Sequence, residues 1–114
     1  MATVNITVEN DADFYRVFQY MTAVGTPIDM TGASLEMMLR RHAEDVEAEL
    51  RLGTDTGEII LLNPAGGLFS VRILQDTLAR LGLGSHDQSM IMTLNGMKIK
   101  IWFGTLINNA GPTR

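Results

Sequence analysis

Residues 25–41, GTPIDMTGASLEMMLRR, decide the fold because they support two readings. Gly25-Thr26-Pro27 and Thr31-Gly32 make the first half a turn-rich step. Pro27 fixes φ and removes a backbone donor. Asp29 and Thr31 can bond to nearby backbone, and Gly32 accepts a positive φ. The second half alternates Leu35, Met37 and Leu39, the period of a strand with one buried face. Yet Leu35, Met38, Leu39, His42, Val46 and Leu50 also lie near one helical stripe, with Ser34 to cap it and Gly53 to end it. Ala, Glu, Leu, Met and Arg are good helix formers, so propensity alone prefers the helix. Strict alternation over Val46–Leu52 favours the rival, a hairpin with a polar loop at Arg41–Asp45. Pattern leaves both open.

Outward from this stretch the signals are those of short strands. Turn residues recur at 9–11, 24–27, 53–57, 63–67, 82–87 and 95–96, with segments of about 6 to 10 residues between them, the spacing of a sandwich or barrel. The clearest element is the hairpin at Asn95-Gly96, two residues that accept positive φ in a tight turn. Its arms are Ser89–Leu94 and Lys98–Phe103, with Ile99, Ile101 and Phe103 expected inward. Lys98, Lys100 and Trp102 are then expected on the outer face, Trp102 as a candidate interface anchor. Thr3–Val8 reads as an opening strand, Ile59–Leu62 as a short apolar one, and Gly67–Leu74 as a strand with Phe69, Val71 and Ile73 inward. Residues 14–20 fit either period, and their aromatic and β-branched content tips them towards strand. Gln75–Leu81 is expected to be a short helical turn, capped by Asp76 or Thr77 and ended by Gly82.

The chain of 114 residues is long enough for one independently folding domain, 1–114. It has no cysteine, which removes disulfides, thiolate nucleophiles and cysteine-ligated zinc, and fits synthesis in a reducing cytoplasm. A net charge of −4 argues against a nucleic-acid partner, which favours a basic face. The start, MATVNITVEN, lacks the pattern of a signal peptide. No apolar run approaches the ~20 residues needed to span a bilayer, so no membrane insertion is expected.

No catalytic constellation emerges. Ser85-His86-Asp87 holds the residue types of a hydrolase triad, but adjacent residues cannot form the relay, so a polar loop is expected. His42 has no second histidine at helical ligand spacing. Asn10, Asp11 and Asp13 lack the glycine and glutamate of a calcium loop. Glu44, Asp45, Glu47 and Glu49 read as a solvated acidic run, and the glycines form no phosphate cradle. Eight methionines are expected mainly to fill the core. The expectation is a non-enzyme with no cofactor and no metal.

One resemblance bears on function. Asp13-Phe14-x-Arg16-x-Phe18-x-Tyr20, a short gap, Gly25–Met37 with its Asp29-Met30-Thr31-Gly32 step, and the closing Arg40-Arg41 resemble small tail-region proteins of bacteriophages and prophages. They are similar to the N-terminal domain of baseplate upper proteins. In that family an "F-x-R-x-F-x-aromatic" strand leads to "G-x-P-x-D-L-T-G" and then to an alternating strand ending in arginine. Val46–Leu52, Gly66-Gly67 and the 89–107 hairpin occupy the family's later strand, turn and closing pair. This chain departs from it in a helix-prone 41–50 region and a longer segment after Leu74. The resemblance implies an all-β, immunoglobulin-like antiparallel sandwich of about seven to eight strands. It implies a virion structural or adaptor protein, assembled in the bacterial cytoplasm, that acts through contacts with other tail or baseplate proteins and with copies of itself. The alternative is a carbohydrate- or ligand-binding sandwich module.

Overall fold

The computed structural model describes residues 2–113. Its strands are β1 (Ala2–Thr3), β2 (Ile6–Glu9), β3 (Phe14–Gln19), β4 (Ser34–Arg40), β5 (Leu50–Gly53), β6 (Ile59–Asn63), β7 (Leu68–Ile73), β8 (Gly84–Leu94) and β9 (Met97–Asn109), and its helix is α1 (Gln75–Arg80). One sheet runs β1-β9-β8-β4-β5, with β2 also on β9; the other runs β3-β7-β6. β1 and β2 are two pieces of one line, parallel to β9. All other strand pairs are antiparallel. Two such sheets packed over one core, in this order, form the expected immunoglobulin-like sandwich.

The ambiguous stretch is a strand. Leu35, Met37 and Leu39 are buried between the sheets, and β4 pairs with β8 on one side and β5 on the other. Burying each such side chain contributes about 1.5–3 kcal/mol, whereas helix propensities of ordinary residues differ by at most about 0.7 kcal/mol. Tertiary burial therefore decides against the helix. The second arm is shorter than its alternation suggested. Only Leu50–Gly53 joins the ladder, and Val46 is 93 % exposed in a loop covering 41–49. Local tethers hold this loop: Arg40 Nε donates to Asp45 O at 2.9 Å, and Ala43 N to Asp87 Oδ2 at 2.9 Å.

The core joins Phe69, Val71 and Ile73 of β7 to Met90 and Met92 of β8, Ile6 and Val8 of β2, and Leu106 of β9. Phe18, Phe69 and Trp102 make ring contacts within it, with centroids 4.8–5.8 Å apart. α1 is capped in trans. Its N-cap, Leu74, supplies no side-chain bond, and Asp13 Oδ1 accepts from Gln75 N at 2.7 Å in place of Asp76 or Thr77. Leu81, not Gly82, caps the other end, with its N–H donating to Thr77 O.

The 25–32 step carries the chain from the small sheet to the large one. Gly25 and Gly32 have φ of 88° and 81°. Asp29 Oδ1 accepts from Thr31 N at 2.9 Å and from Thr31 Oγ1 at 2.6 Å, while Pro27 bridges to Met21. The Thr31 hydroxyl, and then its N–H, hold the Asp29 carboxyl below the usual carboxylate range. A folded-state pKa that is depressed adds stability above the unfolded-state value, and that stability is lost as pH falls through the folded value. Asp29→Asn should therefore lower the urea midpoint at pH 7, and the gap from the parent should close below about pH 4. A gap that persists undiminished at pH 2.5 would show that the charge is not what holds the turn.

Candidate functional site

The three candidate interface residues do not share a surface. Lys98 and Lys100 are exposed on the outer face of the large sheet, paired with Thr93 and Ile91. Trp102 is 5 % exposed and faces the core, while Phe103, expected inward, is 44 % exposed. The cause is a register shift. Met90 pairs with Trp102 but Ile91 pairs with Lys100, so Ile101 is the extra residue of a β-bulge. A bulge sets two residues against one and reverses the alternation beyond it. Ile101 and Trp102 are consequently both buried. The Trp102 indole N–H donates to Gln88 Oε1 at 2.7 Å, and Gln88 Nε2 donates to Val4 O at 2.7 Å. Asn95 and Gly96 form the hairpin tip, with φ of 52° and 77°.

Lys100 and Phe103 line a shallow groove of about 600 Å³ on the outer face of the large sheet, together with Glu36, Arg40, Asp87 and Ile91. Its charges are of both signs. A second hollow, about 640 Å³, lies beside β1 and the end of β3, and Phe18, Phe69 and Trp102 are among its lining residues. In the first groove Glu36 is ion-paired with Arg51 at 2.6 Å and Asp87 Oδ2 accepts from Ala43 N. Among the described residues, no cluster of three or more metal-ligating side chains occurs. Among the described residues, no helix is long and apolar enough to cross a membrane.

His86 is the interior residue that sequence reading missed. It was assigned to a polar loop at 82–87, but β8 begins at Gly84 and His86 is fully buried. Nδ1 lies 2.7 Å from Glu49 Oε1 and Nε2 lies 2.6 Å from Gly82 O. Arg41 Nη1 donates to Ser85 O at 2.9 Å and Arg41 Nε approaches Glu49 at 4.0 Å. This cluster ties the 41–49 loop to the start of β8, with both imidazole nitrogens committed to structural contacts. A signal was present: His86, Gln88, Met90 and Met92 share one parity, so the core face of β8 extends back to the histidine.

The strongest surface feature belongs to the small sheet. Tyr15 and Val17 of β3 and Ile60 and Leu62 of β6 are 47–60 % exposed. Val17 and Ile60 both pair with Ser70, so they stand in one row across the sheet, with Tyr15 and Leu62 continuing each strand. Ser70 is buried on this outer face, beneath its larger neighbours. These exposed apolar side chains, with exposed Arg72 of β7 beside Tyr15, make this face the candidate interaction surface. Its sequence signal is the run Ile59–Leu62, apolar at both parities, which reads only as a short apolar strand.

No protein-family model matches the chain, and no curated protein matches it in sequence. Among solved structures it is similar to the N-terminal domain of phage TP901-1 ORF48, with a TM-score of 0.57 and 12 % identity over 95 % of this chain and 85 % of that one. It also aligns with the Ig1 domain of mouse SynCAM 2, with a TM-score of 0.43 and 12 % identity over 95 % and 93 % of the two chains. The likeness to the phage domain is one of fold, and it agrees with the sandwich that the sheet order defines.

Proposed function

We propose that this chain is a structural or adaptor module of a bacteriophage or prophage tail or baseplate, acting through protein–protein contacts and not through catalysis. In this reading it binds other tail or baseplate proteins and copies of itself, and it works in the virion after assembly in the bacterial cytoplasm. The observation that carries the reading is the apolar outer face formed by Tyr15, Val17, Ile60 and Leu62 on a sandwich whose fold is similar to that of a phage protein domain. A carbohydrate-binding module would stack sugar on exposed aromatics, and the single tryptophan, Trp102, is buried with its N–H committed to Gln88.

The test is recovery in particles. A tagged copy expressed in the phage-bearing host should co-sediment with purified tails at a fixed ratio to the tube protein. Tyr15→Asp/Ile60→Asp, two surface changes that leave the core intact, should abolish co-sedimentation while the soluble yield stays constant. Tagged chain abundant in the lysate but missing from tails would sink the reading, and so would undiminished incorporation of the double variant.

A further inference from the structure

We propose that β3 is a docking edge for a second copy of this chain, pairing antiparallel with its own equivalent about a two-fold axis at Val17. This deepens the self-association part of the proposed function and rests on that part alone.

The ladder geometry supplies the argument. Among the described residues β3 pairs only with β7, and Tyr20 N donates to Gly67 O at 2.8 Å, one position beyond the strand. In an antiparallel ladder, alternate residues exchange both bonds with one neighbour. Phe14, Arg16 and Phe18 share the parity of Tyr20, so their main-chain groups face β7. The N–H and C=O groups of Tyr15, Val17 and Gln19 therefore point away from the sheet.

Exposed edges are normally blunted by bulges, proline, charge or brevity. The other edges show these devices. β6 has a register shift at Leu61/Asn63 and is followed by Pro64. β5 has four residues and carries Arg51, which is ion-paired to Glu36 and Asp55. The β1–β2 line is interrupted at Val4–Asn5, where the Asn5 side chain caps Thr105 N at 3.1 Å. β3 has six residues in unbroken register, no proline and no lysine. Its one charge, Arg16, lies over the Phe18 ring at 5.0 Å.

A second copy fits this edge by symmetry. The free groups at 15, 17 and 19 are centred on Val17, so a two-fold axis there sets Val17 against Val17 and Tyr15 against Gln19 of the other copy. Each of these pairs exchanges two main-chain bonds. Arg16 then faces Phe18 of the other copy, so no like charges stand directly opposed. The two small sheets become one, and Tyr15, Val17, Ile60 and Leu62 of both copies lie on the same side of it.

The register makes the test sharp, because the chain has no cysteine of its own. Directly opposed residues of a bonded pair have Cα atoms about 5.5 Å apart, within disulfide reach. Val17→Cys should form a disulfide-linked dimer under a mild glutathione redox buffer. Gln19→Cys should stay monomeric, because the two copies of residue 19 lie about four residues apart along the strands. Sedimentation velocity of the parent chain should show weight-average mass rising with concentration towards twice the monomer. Val17→Pro, which removes the donor on the axis from an edge position that tolerates proline, should hold the mass at the monomer with the melting transition retained. Should Val17→Pro fail to fold, the cysteine pair alone decides. Equal cross-linking at 17 and 19, or unchanged association of a folded Val17→Pro, overturns the register. A parent that stays monomeric at every concentration, with Val17→Cys unlinked, overturns the inference, and the tail co-sedimentation assay still decides the wider function independently.

Discussion

Gly67→Ala is expected to lower stability by about 2–5 kcal/mol, from two additive causes. Gly67 has φ of +72°, where a Cβ costs roughly 1–2 kcal/mol. It also stands where three segments converge. An added Cβ would collide with Tyr20 O and sit 3.0 Å from Ile28 O, both of them main-chain atoms. Neither can swing aside as a side-chain tip could. Tyr20 N donates to Gly67 O and Ile28 N to Tyr20 O, so moving one contact strains the others. Overpacking of this kind adds about 1–3 kcal/mol. Gly25→Ala separates the two causes, because φ is +88° there and nothing lies within 4 Å of the added carbon. That variant should lose only the conformational part, about 1–2 kcal/mol. Urea unfolding of both, compared by midpoint at constant slope, checks the difference. Equal losses at the two positions would show that the close approach at Gly67 is relieved elsewhere.

That junction also explains how far the sequence could be read. Alternation located β7 and the 95–96 hairpin, where inward residues recur every second position over most of each strand, and at β4 it left the helix open. The choice between helix and strand at 33–52 was not local. It depended on β8 and β5 lying on either side of β4, which no window around Leu35 reveals. The resemblance to phage tail proteins supplied that information, and the sheet order agrees with it. The errors have one physical type. A bulge at Ile101 inverted the expected faces of Trp102 and Phe103, and one extra residue in a ladder leaves no mark on hydropathy. His86 was assigned to a loop because Gly82–Asp87 is rich in turn residues, although partner strand β9 runs far enough to extend β8 back to Gly84. The apolar outer face of β3 and β6 was legible only in part. Residues 14–20 fit either period, so only the pairing with β7 places Tyr15 and Val17 together on the outer face.

Trp102→Ala is expected to cost about 3–5 kcal/mol, the range for emptying an aromatic site in a packed core. For a domain of this size that is a large share of the roughly 6–17 kcal/mol of total stability. It should lower the melting temperature on the order of 15 °C or more. Two contributions can be separated. The ring fills space against Phe18 and Phe69, and its N–H holds Gln88 in the orientation that lets Gln88 Nε2 reach Val4 O. Trp102→Phe keeps most of the ring but leaves Gln88 Oε1 without its donor in a site where Gln88 is 4 % exposed. A buried acceptor stripped of its partner costs about 1–3 kcal/mol. Val4 sits between β1 and β2, and its own N–H donates to Phe103 O at 2.9 Å, so the relay Trp102–Gln88–Val4 pins the N-terminal line to β9. Trp102→Phe should therefore speed amide hydrogen exchange at Ile6 and Val8 more than at Met37 of β4, a strand that holds no member of the relay. Gln88→Leu in the Trp102→Phe background removes the stranded acceptor and should recover part of the lost stability without restoring protection at Ile6. Uniformly faster exchange across both sheets would mean that Trp102 acts only through volume, with no relay to the N-terminal strand.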